Sequence, residues 1–351
     1  MTQQISANQP FVEAVRQSLR EQGELMTMTL QQACSENKEE AETAVHDARV
    51  ALRRSLALLE QARPWIDKSW IQNRRKDLRL FQRQLSSMRD LDVLMNKAEQ
   101  FYAQNEVQGS DALLAILRDR QNKKRQDLAR CLQSKEAVQR LGKALSAVST
   151  PEATLHMLPK PVDEKGRVYL FRMADCLPAM LLQVTARLTV YQSVVTVKPA
   201  ENGHDPEPSG DTSGKVGVDA SELLLHRLRL AAKDVRYSLA FAQPWFGDAA
   251  KPLTGAFKEI QTALGNWHDV VIAERFLQSR KARAHSVASA SWLNELRQEK
   301  AAFLQAFARQ WQIMTPAWFH QHLAACMGHL HTVKAGCACC AGCGNDPRQN
   351  G

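Results

Sequence analysis

Apolar residues recur three and four positions apart along most of this chain, with charged residues between them, which is the pattern of amphipathic helices. Phe11, Val15, Leu19 and Leu25 fall near one face and predict a helix from Phe11 to about Cys34. Ser35 suits an N-cap, and Glu36, Glu39, Glu40 and Glu42 suit the first turns of the next helix, which should stop near Pro64. Residues 68–102 predict one or two further helices and 110–148 a long pair. The stretch TPEATLHMLPKPVD (150–163) interrupts the pattern, and helix resumes over 165–195. Further helices are expected from Ser221 to about Trp245, over 250–281, over 286–313 and over 315–331. No stretch keeps the two-residue alternation of a strand over useful length. Residues 196–220, TVKPAENGHDPEPSGDTSGKVGVDA, are too poor in apolar residues to enter a core and read as a flexible insertion.

Two segments echo each other. His46, Arg49 and Arg53 in VHDARVALRR match His226, Arg229 and Lys233 in LLHRLRLAAKDVRYSL, 180 residues on. SSMRDLDVL and ALGNWHDVV align Asp92-Val93 with Asp269-Val270 at 177, each read as a helix start. Two nearly equal offsets point to an internal duplication. The fold class is therefore all-α: two similar antiparallel four-helix bundles related by a pseudo-twofold. Residues 1–150 make the first bundle, 151–164 a linker, 165–331 the second bundle and 332–351 a tail.

On a helical wheel His46, Arg49 and Arg53 share a sector of ~60°, beside Val45, Leu52, Leu56 and Leu59. His226, Arg229, Lys233 and Arg236 share one of ~80°, beside Leu225, Ala232 and Leu239. Both basic rows border the core stripe instead of lying opposite it, where a solubilising face belongs. Like charges at this spacing cost about 0.2–0.5 kcal/mol per pair, which a bound polyanion would offset. Arg donates paired hydrogen bonds to phosphate, Lys supplies a point charge, and phosphate would favour cationic imidazoles. Arg75, Arg79 and Arg83 form another single-face row, which either anion contact or a solvated face explains. Arg118, Arg120, Lys123, Lys124 and Arg125 read as a solvated cluster, and Lys258 precedes the second Asp-Val pair.

Composition agrees. The formal net charge of +9 and pI near 9.2 call for an anionic partner, while aromatics at 6% favour helices and leave few platforms for stacking nucleic-acid bases. Trp65 and Tyr237 are nearly alone near the motifs. The longest apolar run, CLPAMLLQV (176–184), is too short to span a bilayer. MTQQISANQPFVEAV has neither a basic nor an apolar leader region, so a cytoplasmic, non-membrane protein is expected. Cys34, Cys131, Cys176 and Cys326 stand singly, as thiols in a reducing compartment do.

The segments AVHDARVALRRSL, SSMRDLDVL, LLHRLRLAAKDVRYSL and IQTALGNWHDVV resemble the CHAD family, the conserved-histidine α-helical domains. The likeness extends over roughly 10–325. It implies paired helical bundles around a basic channel that binds inorganic polyphosphate, often at polyphosphate granules. It implies ligand contacts from His46, Arg49, Arg53 and Arg54, from His226, Arg229, Lys233, Arg236 and Tyr237, and from Arg89. No arginine closely precedes Asp269, so the second copy lacks an evident counterpart of Arg89.

No phosphate loop, nucleophile elbow or zinc-protease helix is present. The ExExK strand of the triphosphatase domains to which some CHAD domains are fused is absent too. Asp90, Asp92 and Asp269 are the candidates to hold Mg²⁺, but read better as helix-start and helix-pairing residues. Binding without catalysis and without a required cofactor is the expectation. Nucleic acid is the alternative ligand, and a metal-responsive interaction scaffold the alternative role. The tail GCACCAGCG places Cys337, Cys339, Cys340 and Cys343 within seven positions, a density that suits Zn²⁺ or Cu(I) and equally a redox-sensitive tail without metal.

Overall fold

The computed structural model describes residues 7–149, 162–167, 170–199, 216–279, 282 and 284–335. The first half holds α1 (Phe11–Gln32), α2 (Lys38–Gln61), α3 (Lys68–Gln104), α4 (Ser110–Gln133) and α5 (Lys135–Ser149). The second half holds α6 (Met173–Thr189), α7 (Glu222–Phe246), α8 (Lys251–Leu277), α9 (Ser286–Ile313) and α10 (Pro316–Ala335). The all-α class stands, and residues 68–104 form one unbroken helix. Asp90, Asp92 and Asp269 consequently lie inside α3 and α8, not at helix starts. The apolar pattern runs through them without a break: Met88, Leu94 and Met95 are buried around the first pair, Trp267 and Val270 around Asp269.

Three local expectations change. The cap of α2 is Asn37, whose side chain accepts hydrogen bonds from the Glu39 and Glu40 amides, while Ser35 donates to Glu40. Helix α6 starts at Met173, not at 165. Asp163 captures the Lys165 and Arg167 amides in a turn whose Gly166 takes φ +74°, which holds this stretch out of a helix. The insertion begins and ends in strands, β1 (Thr196–Pro199) and β2 (Val216–Asp219), paired antiparallel with Thr196 opposite Asp219. Val197 faces Val218, and both pack against the main core. Four residues are too few to display strand alternation in sequence. Residues 200–215 lie outside the described part.

Both halves pack in the same order. Helix α1 lies on α2, α2 on α3 and α3 on α4; likewise α6 lies on α7, α7 on α8 and α8 on α9. Across the halves α2 meets α7, α3 meets α8, α1 meets α6 and α4 meets α9. The openings of α1 and α6 also join through backbone: Phe11 N–H donates to Phe171, and Met173 N–H to Gln9. The halves do not keep separate cores. One cluster runs from Phe11, Leu52 and Phe81 to Leu177, Leu228 and Phe257, and a second joins Leu94 and Leu113 to Val270 and Trp292.

Burial sets the register between the halves. Buried Val45, Ala48, Leu52, Ser55, Leu58 and Leu59 match buried Leu225, Leu228, Ala232, Val235, Ser238 and Leu239 at the expected offset, 225 − 45 = 180. In α3 and α8, buried Leu78, Phe81, Leu85 and Met88 match Phe257, Ile260, Leu264 and Trp267 at 257 − 78 = 179. The offset of 177 fails, because it would set buried Phe81 against exposed Lys258. Asp90, not Asp92, is thus the counterpart of Asp269, and His268 that of Arg89.

A basic cleft between α2 and α7

The core stripes of α2 and α7 are drawn into the shared interior, which brings the adjoining basic rows to the seam where these helices pack. Gln61 spans the seam, its Nε2 donating to the Asp234 carbonyl at 3.3 Å. Arg49 and Arg53 from one half and Arg229 and Lys233 from the other lie within electrostatic reach of one another. Arg229 and Lys233 are buried, each 6% exposed. Burial pushes the Lys233 ammonium down to about 6, helped by Arg229, Arg53 and Arg49. Burial, then Arg53, pushes Arg49 down to about 10. Arg229 also falls below the ordinary range, through burial.

Three carboxylates answer these basic groups, among them Asp234, which lies within electrostatic reach of Arg53. Asp90 Oδ1 lies 3.9 Å from the Arg49 guanidinium, and Asp269 acts on Arg229 in the matching place. Burial, reinforced by Asp90, raises Asp269 despite its cations. The helix-pairing role expected of Asp90, Asp92 and Asp269 holds, for Asp90 and Asp269 toward α2 and α7 and for Asp92 toward α4. Asp92 instead sits fully buried toward α4, accepting from Gln121 at 2.8 Å with Arg125 at 4.0 Å, and burial pushes it up to about 6. Arg125 therefore serves the interior. Arg120 lies over the Phe276 ring and Arg118 faces Glu99, so the 118–125 cluster is only partly a solvated one.

The carboxylates leave donors unused. The Nε atoms of Arg49, Arg53, Arg54 and Arg229 are buried without a hydrogen-bond partner among the described residues. An unmet buried donor costs about 1–3 kcal/mol, more when charged, so this is a surface short of acceptors. A groove of about 320 Å³ opens beside it, lined by Arg53, Arg75, Arg79, Lys233 and Tyr237. Glu60 and Asp234 line it too, and Glu60 pairs with Arg75, which removes that arginine from the unopposed charge. Arg79 also borders a hollow of about 440 Å³ shared with Arg83, Lys76 and Arg140.

The histidines sit at the edges. His226 and His268 face each other at 5.0 Å between ring centroids. Burial and then Arg229 lower both, His268 to about 3, and partial burial with Arg89 lowers His46. Among the protein's own charges all three are therefore neutral at pH 7. Arg89 acts on His46 electrostatically and lines neither the groove nor the neighbouring hollow. Arg236 is half-buried and Lys258 exposed; neither lines the groove or the neighbouring hollow, although Lys258 holds the place in α8 that Arg79 holds in α3. His268, Asp234 and Glu60 were not singled out by sequence. His268 becomes legible at the 179 register, as the residue in Arg89's place. Cys337, Cys339, Cys340 and Cys343 lie outside the described residues. Among the described residues no cluster of His, Cys, Asp or Glu has the makings of a metal site, and no helix is long and apolar enough to cross a membrane.

A family model described as the CHAD domain matches residues 25–278. Nothing among curated proteins matches the chain. The crystal structure of the CHAD domain from the plant Ricinus communis superposes with a TM-score of 0.66 at 18% identity, covering 90% of this chain and 96% of that one. PptA from Streptomyces chartreusis superposes with a TM-score of 0.58 at 18% identity, covering 86% of this chain and 99% of the other. At that identity the likeness speaks for the fold.

Proposed function

The chain belongs to the CHAD domain family, and from that premise we propose that it binds inorganic polyphosphate, without turning it over, in the cleft between α2 and α7. The observation that carries this reading is the set of buried arginine Nε donors without acceptors on both sides of the seam. A chain of phosphates presents acceptor oxygens in series and one charge or more per unit, which matches a row of donors better than a single small anion does. Arg49, Arg53, Arg229 and Lys233 form the inner contacts in this reading. Arg79 and Arg83 extend them, and His46, His226 and Arg89 tune them from the rim. The carboxylates are engaged: Asp90 and Asp269 with the cleft arginines, Asp92 toward α4. None of these three is free to hold the metal that assisted hydrolysis requires. No cofactor is needed for such binding. Zinc or copper(I) at the tail cysteines is a separate proposal, decided by metal content of the full chain against one cut after residue 331. Residence at polyphosphate granules would follow from the binding itself.

The test is displacement of labelled polyphosphate from the full chain. Unlabelled polyphosphate should compete far better than duplex DNA or RNA. With about four phosphates engaged, affinity should fall roughly 50-fold between 50 and 200 mM salt. Equal competition by RNA moves the assignment to nucleic acid, and an affinity indifferent to salt removes both.

A further inference from the structure

Beyond the basic groove lies a cavity of about 420 Å³ between α1, α2 and the C-terminal half of α7. Tyr237 lines both, so it stands between the two spaces. The walls differ in kind. The groove is lined mainly with cations, beside Glu60 and Asp234, whereas the cavity has one cation, Arg54, and one carboxylate, the exposed Glu21, set among glutamines and an aromatic corner. Phe241 and Trp245 form that corner, with ring centroids 5.6 Å apart and planes tilted by 51°.

Two buried polar atoms on this cavity's lining side chains have no partner among the described residues: Gln22 Oε1, an acceptor, and Arg54 Nε, a donor. Their opposite demands narrow the ligand. Phosphate answers Arg54 but has no N–H for Gln22 and no apolar face for Phe241 and Trp245. A peptide or lipid lacks the run of negative charge that the adjoining groove is built to take. A nucleobase supplies both the N–H donor and a flat apolar face, and the phosphates attached to it supply the acceptors. Glutamine amides pair with base edges for the same reason in nucleic-acid recognition, and aromatic side chains give stacking energy to any base. One aromatic corner in a cavity of this size serves a single nucleoside rather than a strand.

We propose that the protein has a nucleoside polyphosphate site at this end of the cleft, the base lodged by Gln22, Phe241 and Trp245, and the phosphates passing Arg54 and Tyr237 into the basic groove. The inference rests on the polyphosphate reading only for the part of the ligand that enters that groove. Lys233 stands one turn before Tyr237 on α7, and Arg53 is adjacent to Arg54 on α2, so the phosphates meet the inner cations directly after the base pocket ends.

Calorimetric titration of the full chain with ATP, GTP and tripolyphosphate, at one salt concentration and without divalent cation, tests this. Tripolyphosphate carries more charge than either nucleotide, so electrostatics alone ranks it first. We expect ATP or GTP to bind at least about tenfold tighter, the worth of one good base contact of about 1.4 kcal/mol. Gln22→Leu and, separately, Phe241→Ala should erase that advantage and leave tripolyphosphate affinity unchanged. Saturation-transfer NMR should pass magnetisation from the wild-type protein to the base protons, a readout that needs no variant to fold. Tripolyphosphate bound as tightly as the nucleotides, both variants weakening all three ligands alike, or no transfer to the base each overturns the proposal. If tripolyphosphate binds and the nucleotides gain nothing, this inference alone falls. If tripolyphosphate fails to bind, the polyphosphate reading falls with it.

Discussion

The basic rows of α2 and α7 occupy equivalent places, yet they differ in how firmly they hold their charge. The α2 row is Arg49, Arg53 and Arg54, three guanidinium groups, of which Arg49 stays cationic at about 10 although burial lowers it. The α7 row is Arg229, Lys233 and Asp234 at the same positions. Lys233, pushed down to about 6, sheds its proton near neutrality where an arginine would not, and Asp234, its carboxyl raised by burial, stands at the place equivalent to Arg54. The rim repeats the contrast: Arg89 on α3 is replaced by His268 on α8, neutral among its neighbours. The α2 wall thus carries arginine at both inner positions, whereas the α7 wall keeps Arg229 but gains the charge of Lys233 only when something anionic arrives. That arrangement avoids four fixed positive charges facing one another in a poorly solvated seam, yet supplies them when the ligand's own charge repays the cost.

The part the walls share is the pair Arg49 and Arg229, each backed by an aspartate at matching positions, and there the largest effect is expected. Arg49→Glu with Arg229→Glu should abolish polyphosphate binding. The milder pair Arg49→Met with Arg229→Met, which keeps volume without repelling the ligand, should weaken it roughly 10³-fold, from about 2 kcal/mol per charge-assisted contact. Circular dichroism and thermal melting accompany the binding assay, so a folded Met pair within about threefold of the wild type would place the ligand elsewhere. The single Met variants should be nearly equal in effect. A large inequality would break the equivalence of the two rows.

This equivalence was readable in sequence for α2 and α7 because each motif carries its histidine and arginine at fixed spacing, beside the same apolar stripe. It was misread for α3 and α8. The shared Asp-Val dipeptide drew the alignment to 177, whereas burial of Leu78, Phe81, Leu85 and Met88 against Phe257, Ile260, Leu264 and Trp267 sets it at 179. A dipeptide is a weak signal, and four buried positions at helical spacing are a strong one, but burial needs the folded chain. The meeting of the rows was similarly out of reach. A wheel places Arg53 and Lys233 each beside a core stripe, and only the packing of α2 on α7 shows that the two stripes enter one interior. The hairpin over 196–219 escaped because its strands draw stability from Val197 and Val218 against the core rather than from their own pattern.

The contrast between fixed and releasable charge sharpens into a pH experiment of intermediate size. Phosphate favours the ammonium form of Lys233, so binding takes up a proton whenever that group starts neutral. Affinity should rise as pH falls from 8 toward 6, by up to about tenfold per unit, and level off below about 6, where the free site is already protonated. His226, lowered in the same direction, adds to the trend with the same sign, while His268, held at about 3, stays neutral across this range. Lys233→Arg keeps its charge throughout and should remove most of the slope above pH 7. Stability without ligand should move the other way. Between about 6 and the ordinary lysine range the unfolded chain holds a proton that the folded site has released, so the melting temperature should climb with pH in the wild type. Identical pH profiles for wild type and Lys233→Arg, in binding and in melting, would refute the division into a fixed and a releasable wall.

The smallest effect asks whether the two rows can be separated from the helices that carry them. Each motif helix is held at its start by a side chain that has no contact with the cleft. Asn37 accepts from the Glu39 and Glu40 amides at the head of α2, and Ser221 accepts from the Leu224 amide at the head of α7. Removing either cap leaves amide donors unmet at a solvated helix end, which costs about 1 kcal/mol. Asn37→Ala and Ser221→Ala should therefore lower stability by similar small amounts in denaturant titration. Polyphosphate affinity should stay within experimental error, because His46 and His226 begin the basic rows several residues further in, and fraying of the first turn does not reach them. Should Ser221→Ala weaken binding where Asn37→Ala does not, the releasable wall would depend on the hairpin–helix junction at β2 as well as on the charges of α7, and the comparison between the rows would have to include how each is anchored.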